Sequence, residues 1–212
     1  MGSVAPRDPQ ATREHILQAA FRAVYEQGLA GTSLDVVLAK AGVTKGGLYH
    51  HFACKQALGC ALVDEVLAPM VLAQWVEPLR DTDDPIAALQ ALLAAHSAAP
   101  PADVLRYGCP LNNLAQEVSS TDDELRQRLA AVVERWVAAL RDAFARGQGA
   151  GTVRRDVDPD GVARFVVGSI EGAMSLAKTA RDGAALRSAT VELSRYLELL
   201  RPERKAKGRR KA

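Results

Sequence analysis

The sequence predicts an all-α fold of about nine helices, with an N-terminal helix-turn-helix head of three helices and a larger C-terminal helical body. Three observations predict it. Apolar residues recur at the i, i+3/i+4, i+7 spacing of a helix face through most of the chain, and no stretch shows the strict alternation of a half-buried strand. Gly, Pro and capping residues punctuate those runs at intervals that suit helices of ordinary length. Apolar residues make up 48% of the 212, enough for one large domain or two small ones around a substantial core.

The first helix is expected from about Thr12 to Gln27, with Ile16, Ala20, Phe21 and Val24 on its apolar face and Gly28 ending it. The turn GLAGTS follows. Thr32, with Asp35 three residues on, reads as a capping box for a short second helix, Leu34 to Ala41. Gly42 breaks that helix, and Thr44 can cap a third from Lys45 to about His51. A fourth begins near Cys54 with the stripe Leu58, Leu62, Val63 and Val66. Pro69 lacks the amide hydrogen the ladder needs and is expected to end or kink it.

Asp84-Pro85 is a cap followed by a proline at the first helical position, opening a helix with Ile86, Leu89, Leu92, Leu93 and His96 on one side. Pro100-Pro101 breaks it, and another short helix starts at Pro110. Thr121 with Glu124 reads as a second capping box, before a long helix carrying Leu125, Leu129, Val132, Val133, Trp136, Leu140 and Phe144 and ending near Gly147. Two last helices cover about Asp160 to Asp182 and Ala184 to Arg201. In the first of them Phe165, Ser169, Gly172, Ala173 and Leu176 form a stripe whose small residues let another helix approach closely. The stripe suits intrachain packing and is also wide enough for a partner chain; a homodimer through this helix pair is the preferred reading.

Composition narrows the function classes. No apolar run approaches the roughly 18 residues of a membrane span, and MGSVAPRDPQ lacks the apolar region of a signal peptide, so a cytoplasmic protein with no membrane partner is expected. Cys54, Cys60 and Cys109 show no C-x-x-C spacing and suit reduced thiols rather than a disulfide framework. The net charge of +2 hides a segregation: residues 1–60 carry +2, residues 61–200 carry −6 and the tail 201–212 carries +6. A slightly basic head on an acidic body suits a protein that meets nucleic acid with one end. G-x-S-x-G, the P-loop, the Rossmann glycine pattern and a helix-borne metal pair are all missing, so neither an enzyme nor a cofactor is expected.

The chemistry concentrates in AGVTKGGLYHHF, Ala41 to Phe52. Two adjacent glycines cost a helix about 1 kcal/mol each relative to alanine. They make sense where the first turn of a recognition helix presents its amides and positive dipole end to DNA, because no side chain then stands between backbone and duplex. Lys45 supplies a cation, Thr44 a hydroxyl, and Tyr49, His50 and His51 hydrogen-bonding groups of short or medium reach. Lys55 opens the next helix, where its charge suits a phosphate better than the helix dipole. Leu48 and Phe52 read as core, and His51 suits either a packed position or a DNA contact. His50 and Cys54, at i, i+4, would supply half of a metal site, but no second half is evident and no metal is expected.

Residues Ile16 to Leu58, ILQAAFRAVYEQGLAGTSLDVVLAKAGVTKGGLYHHFACKQAL, closely resemble the N-terminal DNA-binding domain of the TetR/AcrR family of one-component transcriptional regulators. The resemblance implies an all-helical protein that dimerises through its last two helices, binds a palindromic double-stranded operator as a repressor and is released by a small molecule held in the C-terminal body. Carried over, the family's DNA-contact positions fall on Thr32, Ser33, Thr44, Lys45, Gly46, Gly47, Tyr49, His50, His51 and Lys55. Gly47 departs from the pattern, since many members have a base-reaching side chain there, and Cys54 replaces a frequent capping serine. YGCPLNNLAQEVSSTDDELRQRL, Tyr107 to Leu129, resembles a subgroup that shares a GC-x-x-x-N-x-A-x-E-like stretch. The division implied is a disordered segment at 1–10, a DNA-binding domain at 11–56, an effector-binding and dimerisation domain at 57–200 and a basic disordered tail at 201–212.

Within the body, the residues with a polar or reactive handle on an apolar face are His96, Tyr107, Cys109, Asn112, Asn113, Gln116 and Trp136, each of which also suits an ordinary packed position. Cys109 near a helix start, with Arg106 three residues away, could favour a thiolate and so an electrophile- or oxidant-sensing repressor. Two rival functions are a helical small-molecule enzyme and a helical interaction protein whose head binds protein instead of DNA.

Overall fold

The computed structural model describes residues 8–203, and its regular structure there is helical, with no strand among the described residues. The expected basic tail and N-terminal segment lie mostly outside them. Two compact units are drawn by packing: residues 1–74 with 102–135, and residues 75–101 with 136–212.

The first unit holds α1 (Pro9–Gly31), α2 (Leu34–Ala41), α3 (Lys45–His51) and α4 (Lys55–Leu62) around one apolar cluster. Ile16, Leu17 and Ala20 of α1 meet Val37 and Ala41 of α2, Leu48 of α3 with Phe52 just past it, and Leu58, Ala61 and Leu62 of α4. The expected apolar faces are therefore those that pack. Asp8 caps α1 through the Gln10 amide and Pro9 occupies its first turn, so the helix starts earlier than expected. At Gly28 the backbone leaves helical geometry (φ 78°, ψ 165°), which only glycine adopts readily. The two amides just past the break, Leu29 and Ala30, donate to the Glu117 carboxylate of α8 (Pro110–Val118) at 2.9 and 2.5 Å. Segment 102–118 is tied to α1 a second time, where the Tyr25 hydroxyl donates to the Gly108 carbonyl at 2.6 Å. Burial first, and then the neighbouring Cys109, push the Tyr25 phenol up, so it stays a donor.

Two capping boxes differ from expectation by one residue. Ser33, not Thr32, caps α2 by accepting from the Val36 amide; Thr32 is buried and donates back to the Gly28 carbonyl at 2.7 Å. Asp122, not Thr121, caps α9 (Asp123–Ala150), accepting from the Leu125 amide. Two cap-competent residues stand side by side in each case; Thr32 is taken by burial, and the Thr121 hydroxyl by the Val118 carbonyl.

Pro69 does not end the helix that follows α4. A π-type turn, Val63–Leu67, leads into α5 (Ala68–Val71), and a second, Leu72–Val76, follows it. Pro69 offers no N–H to the carbonyl four residues back at Glu65, and the wider i→i+5 register, seen where the Ala68 amide reaches the Val63 carbonyl, removes the need for one. Lys55–Leu79 is long and apolar enough, by length and composition, to cross a membrane, but half of its most apolar window is buried inside protein. Asp64 and Glu65 near its middle are exposed and ion-paired to Arg128 and Arg13.

The second unit packs α6 (Pro85–Ala98) and α10 (Pro159–Ala180) with α11 (Gly183–Glu198). Asp84 caps α6 as expected, accepting from the Ala87 amide, and also pairs with Arg201 at 2.9 Å. Ile86, Leu89 and Leu93 are buried on α6, which packs on α11, where Leu193 and Leu197 are buried; α11 in turn packs on α10, with Val166 and Ile170 buried. A short α7 (Ala102–Tyr107) follows Pro100-Pro101, where no helix was expected.

Candidate nucleic-acid interface

The interface is built by a turn. Gly42 closes α2 in the left-handed region (φ 59°), and Thr44 caps α3 by accepting from the Gly47 amide at 3.2 Å. Leu48, with no exposed surface, and Phe52, 2% exposed, pin α3 to the head core, as expected. The opposite face is left outward: Thr44, Lys45, Gly46, Tyr49 and His50 are exposed, and Gly47 and His51 are half-buried. The Lys45 ammonium lies 5.9 Å from the centre of the Tyr49 ring, and the His50 and His51 rings meet edge to face at 5.1 Å. A Cβ built at Gly46 would meet no atom within 4 Å, whereas one at Gly47 would stand 3.3 Å from the capping Thr44 hydroxyl. Gly47 thus serves the cap as well as the surface, while among the described residues nothing requires glycine at 46.

Two of the candidate positions are placed differently. Thr32 is 3% exposed, with its hydroxyl turned inward, so it is a structural residue and not a surface contact. Lys55 is half-buried and donates to the Ala30 carbonyl at 3.1 Å, across the turn from the Glu117 carboxylate. Ser33 is exposed at its cap. Cys54 does cap α4, its sulfur 3.4 Å from the Ala57 amide. Among the described residues no group of three or more His, Cys, Asp or Glu side chains could hold a metal ion.

The effector candidates fall into two sets. In the first unit, Tyr107 packs against Tyr25 with ring centres 5.2 Å apart, Asn113 donates to the Tyr107 carbonyl, and Asn112 accepts from Gln116. Cys109 is the half-buried N-cap residue of α8, and its sulfur accepts none of that helix's first amides. In the second unit, His96 stacks on Trp75 at 4.6 Å and Trp75 on Trp136 at 5.3 Å. Trp136 is 1% exposed and its indole nitrogen has no hydrogen-bond partner among the described residues. Sequence reasoning passed over Trp75; its spacing of four from Val71 and Leu79, both buried, was the available signal.

On α10, Phe165 (52% exposed) and Leu176 (62%) lie outward with Gly172, while Ser169 is half-buried and the Phe165 ring leans on Tyr196 of α11. Ala173 does not belong to that stripe. It is 4% exposed and faces the unit's own core, because it lies on the same helix face as Val166, Ile170 and Ala177.

Comparison with known proteins bears on this geometry. A family model described as bacterial regulatory proteins, tetR family, matches residues 16–61, and one described as tetracyclin repressor-like, C-terminal domain, matches residues 85–193. The chain is 28% identical over 177 residues to the HTH-type transcriptional repressor DhaR of Mycobacterium sp. (strain GP1), covering 80% of this chain and 84% of that protein. It is 27% identical over 192 residues to the transcriptional regulator AcuR of Cereibacter sphaeroides, covering 89% and 86%. The crystal structure of a TetR transcriptional regulator from Chloroflexus aurantiacus superposes with a TM-score of 0.79 at 30% identity, covering 90% of this chain and 96% of that one.

Proposed function

Because the chain belongs to the TetR family of transcriptional regulators, a family of DNA-binding proteins and not of enzymes, we propose that it is a cytoplasmic, dimeric repressor released from a palindromic operator by a small molecule. The observation that carries the DNA-binding part is the exposed face of α3, where Lys45, Gly46, Tyr49 and His50 stand together on a helix pinned from behind by Leu48 and Phe52. In a dimer, the two α3 helices would enter successive major grooves about 34–36 Å apart. The effector would favour an arrangement with a different separation, through its differential affinity for the two states. The helical run that leaves the head at Lys55 is the proposed lever. Candidates for effector contact are the Trp75–Trp136–His96 stack and the Tyr107–Gln116 segment.

The experiment is a mobility shift on the DNA upstream of the protein's own gene, titrated with salt. Selective binding is expected, with the logarithm of affinity falling linearly with the logarithm of salt, at a slope of about −0.9 per neutralised phosphate. Equal, weak binding to every duplex would sink the reading. Dimerisation has its own test. Phe165 and Leu176 offer apolar surface on α10 that a monomer would leave in water. Leu176→Glu should sediment as a monomer and lose most affinity for a two-half-site duplex, while its thermal unfolding stays near wild type; a Leu176→Glu protein that remains a dimer would show that the partner sits elsewhere.

A further inference from the structure

Arg13 joins three parts of the first unit through one guanidinium. Its Nε donates to a Glu65 carboxylate oxygen at 3.1 Å and its Nη2 to the other, a forked pair. Its Nη1 donates to the backbone carbonyl of His51 at 3.2 Å, and its central carbon lies 4.4 Å from the centre of the Phe52 ring.

Each partner has a particular place. His51 is the last residue of α3, so its carbonyl is among those a helix leaves without an internal partner, and a cation there also suits the negative end of the dipole. Phe52 follows it and is buried in the head core. Glu65 lies at the centre of the π-type turn Val63–Leu67, four residues before Pro69. Such turns are uncommon inside helices and mark points where register can change. A planar fork with fixed donors holds a carboxylate bidentately and a carbonyl on a neighbouring element in one set geometry; the three donors of a lysine diverge from a single nitrogen and reproduce neither the bidentate pair nor its reach.

Resting on the reading that this chain is an operator-binding regulator whose fourth helix is the lever, we propose that Arg13 is a positioning residue that relays the register of the turn at Glu65 to the C-terminal end of α3. A change of register in the lever moves Glu65, the guanidinium follows its carboxylate, and the His51 carbonyl loses or gains its donor. The end of the recognition helix is thereby tightened or released without any contact between Glu65 and α3 itself.

The pair is partly exposed, with side chains at 27% and 39%, so breaking it costs the fold little. That separates the relay from a structural role. Four proteins are compared: wild type, Glu65→Ala, Arg13→Lys, and the control Val37→Ala, which trims the head core and touches neither partner. The readouts are thermal midpoint, affinity for the protein's own upstream duplex, and the backbone amide signals of His50, His51 and Phe52. Glu65→Ala is expected to keep its midpoint within about 4 °C of wild type. It should nonetheless weaken binding about tenfold and shift the three amide signals. Arg13→Lys should fall between it and wild type. Unchanged amide signals and affinity in Glu65→Ala would overturn the relay, as would a loss of affinity no greater than Val37→Ala shows for the same fall in midpoint. If wild type itself binds no duplex selectively, the operator reading fails, and the amide signals alone still decide whether Glu65 governs the end of α3.

Discussion

Gly28→Ala is expected to lower the thermal midpoint by roughly 6–12 °C, from the loss of about 3 kcal/mol. Two costs combine. At φ 78° and ψ 165° the backbone occupies a region that an L-residue with a Cβ enters only under strain, worth about 1–3 kcal/mol. The new Cβ would also stand 2.8 Å from the Glu117 Oε2 atom. The carboxylate has to retreat, and the Leu29 and Ala30 amides it now holds at 2.9 and 2.5 Å lose a charged acceptor. Leaving a partly buried amide unpaired costs about 1–3 kcal/mol.

The two costs are separable. Glu117→Ala removes the acceptor and the obstacle together, so it should destabilise by itself, and Gly28→Ala made on top of it should cost only the backbone strain. The double variant is therefore expected to be less destabilised than the sum of the singles, a shortfall that thermal or denaturant unfolding of all four proteins measures. A Gly28→Ala protein that melts like wild type would show that the break at Gly28 is not held as described. Operator affinity measured well below the midpoint should fall too, because Thr32, which donates to the Gly28 carbonyl, leads directly into α2.

Much of the fold could be read from local punctuation. The bounds of α2 and α3 are those expected, because Gly42 and Thr44 act on their immediate neighbours and need nothing distant to decide them. The start of α6 at Asp84-Pro85 follows for the same reason. Legibility fails where the deciding partner is far away in sequence. Thr32 and Ser33 are both competent caps, and burial of one chose the other. Pro69 was read by its local effect on an α-helix, which the π-type register on either side absorbs.

The same division runs through the site. The exposed face of α3 follows from which residues the head core takes, and Leu48 and Phe52 were readable as core from spacing alone. What spacing could not reveal is the support behind it: Glu117 acts on an amide 88 residues away, and Arg13 on a carboxylate 52 residues away. Arg13 is what an exposed helical position ordinarily carries, and Glu117, although it closes the GC-x-x-x-N-x-A-x-E-like stretch, carries no mark in the sequence of the amides it meets. Trp75 and Trp136 likewise acquire their relation only in three dimensions.

Gly46→Ala should make the protein more stable and a worse DNA binder. The first half follows from the protein alone. The glycine has helical geometry without positive φ, and a Cβ there meets nothing within 4 Å, so alanine recovers about 1 kcal/mol of helix propensity. For a chain of this size that raises the thermal midpoint by roughly 2–4 °C. The second half depends on what faces the helix. If the first turn of α3 meets a duplex backbone to backbone, the added methyl keeps the two apart, and affinity for the operator falls about tenfold or more, within the range of a single lost direct contact. Gly47→Ala is the informative companion, since its Cβ crowds the Thr44 hydroxyl at 3.3 Å and it should gain no such stability. Unfolding curves and mobility shifts on the same preparations test both halves. A Gly46→Ala protein that is stabilised and still binds its upstream duplex with wild-type affinity would mean that the exposed glycine is not a point of close approach, and that Lys45, Tyr49 and His50 reach the DNA without it.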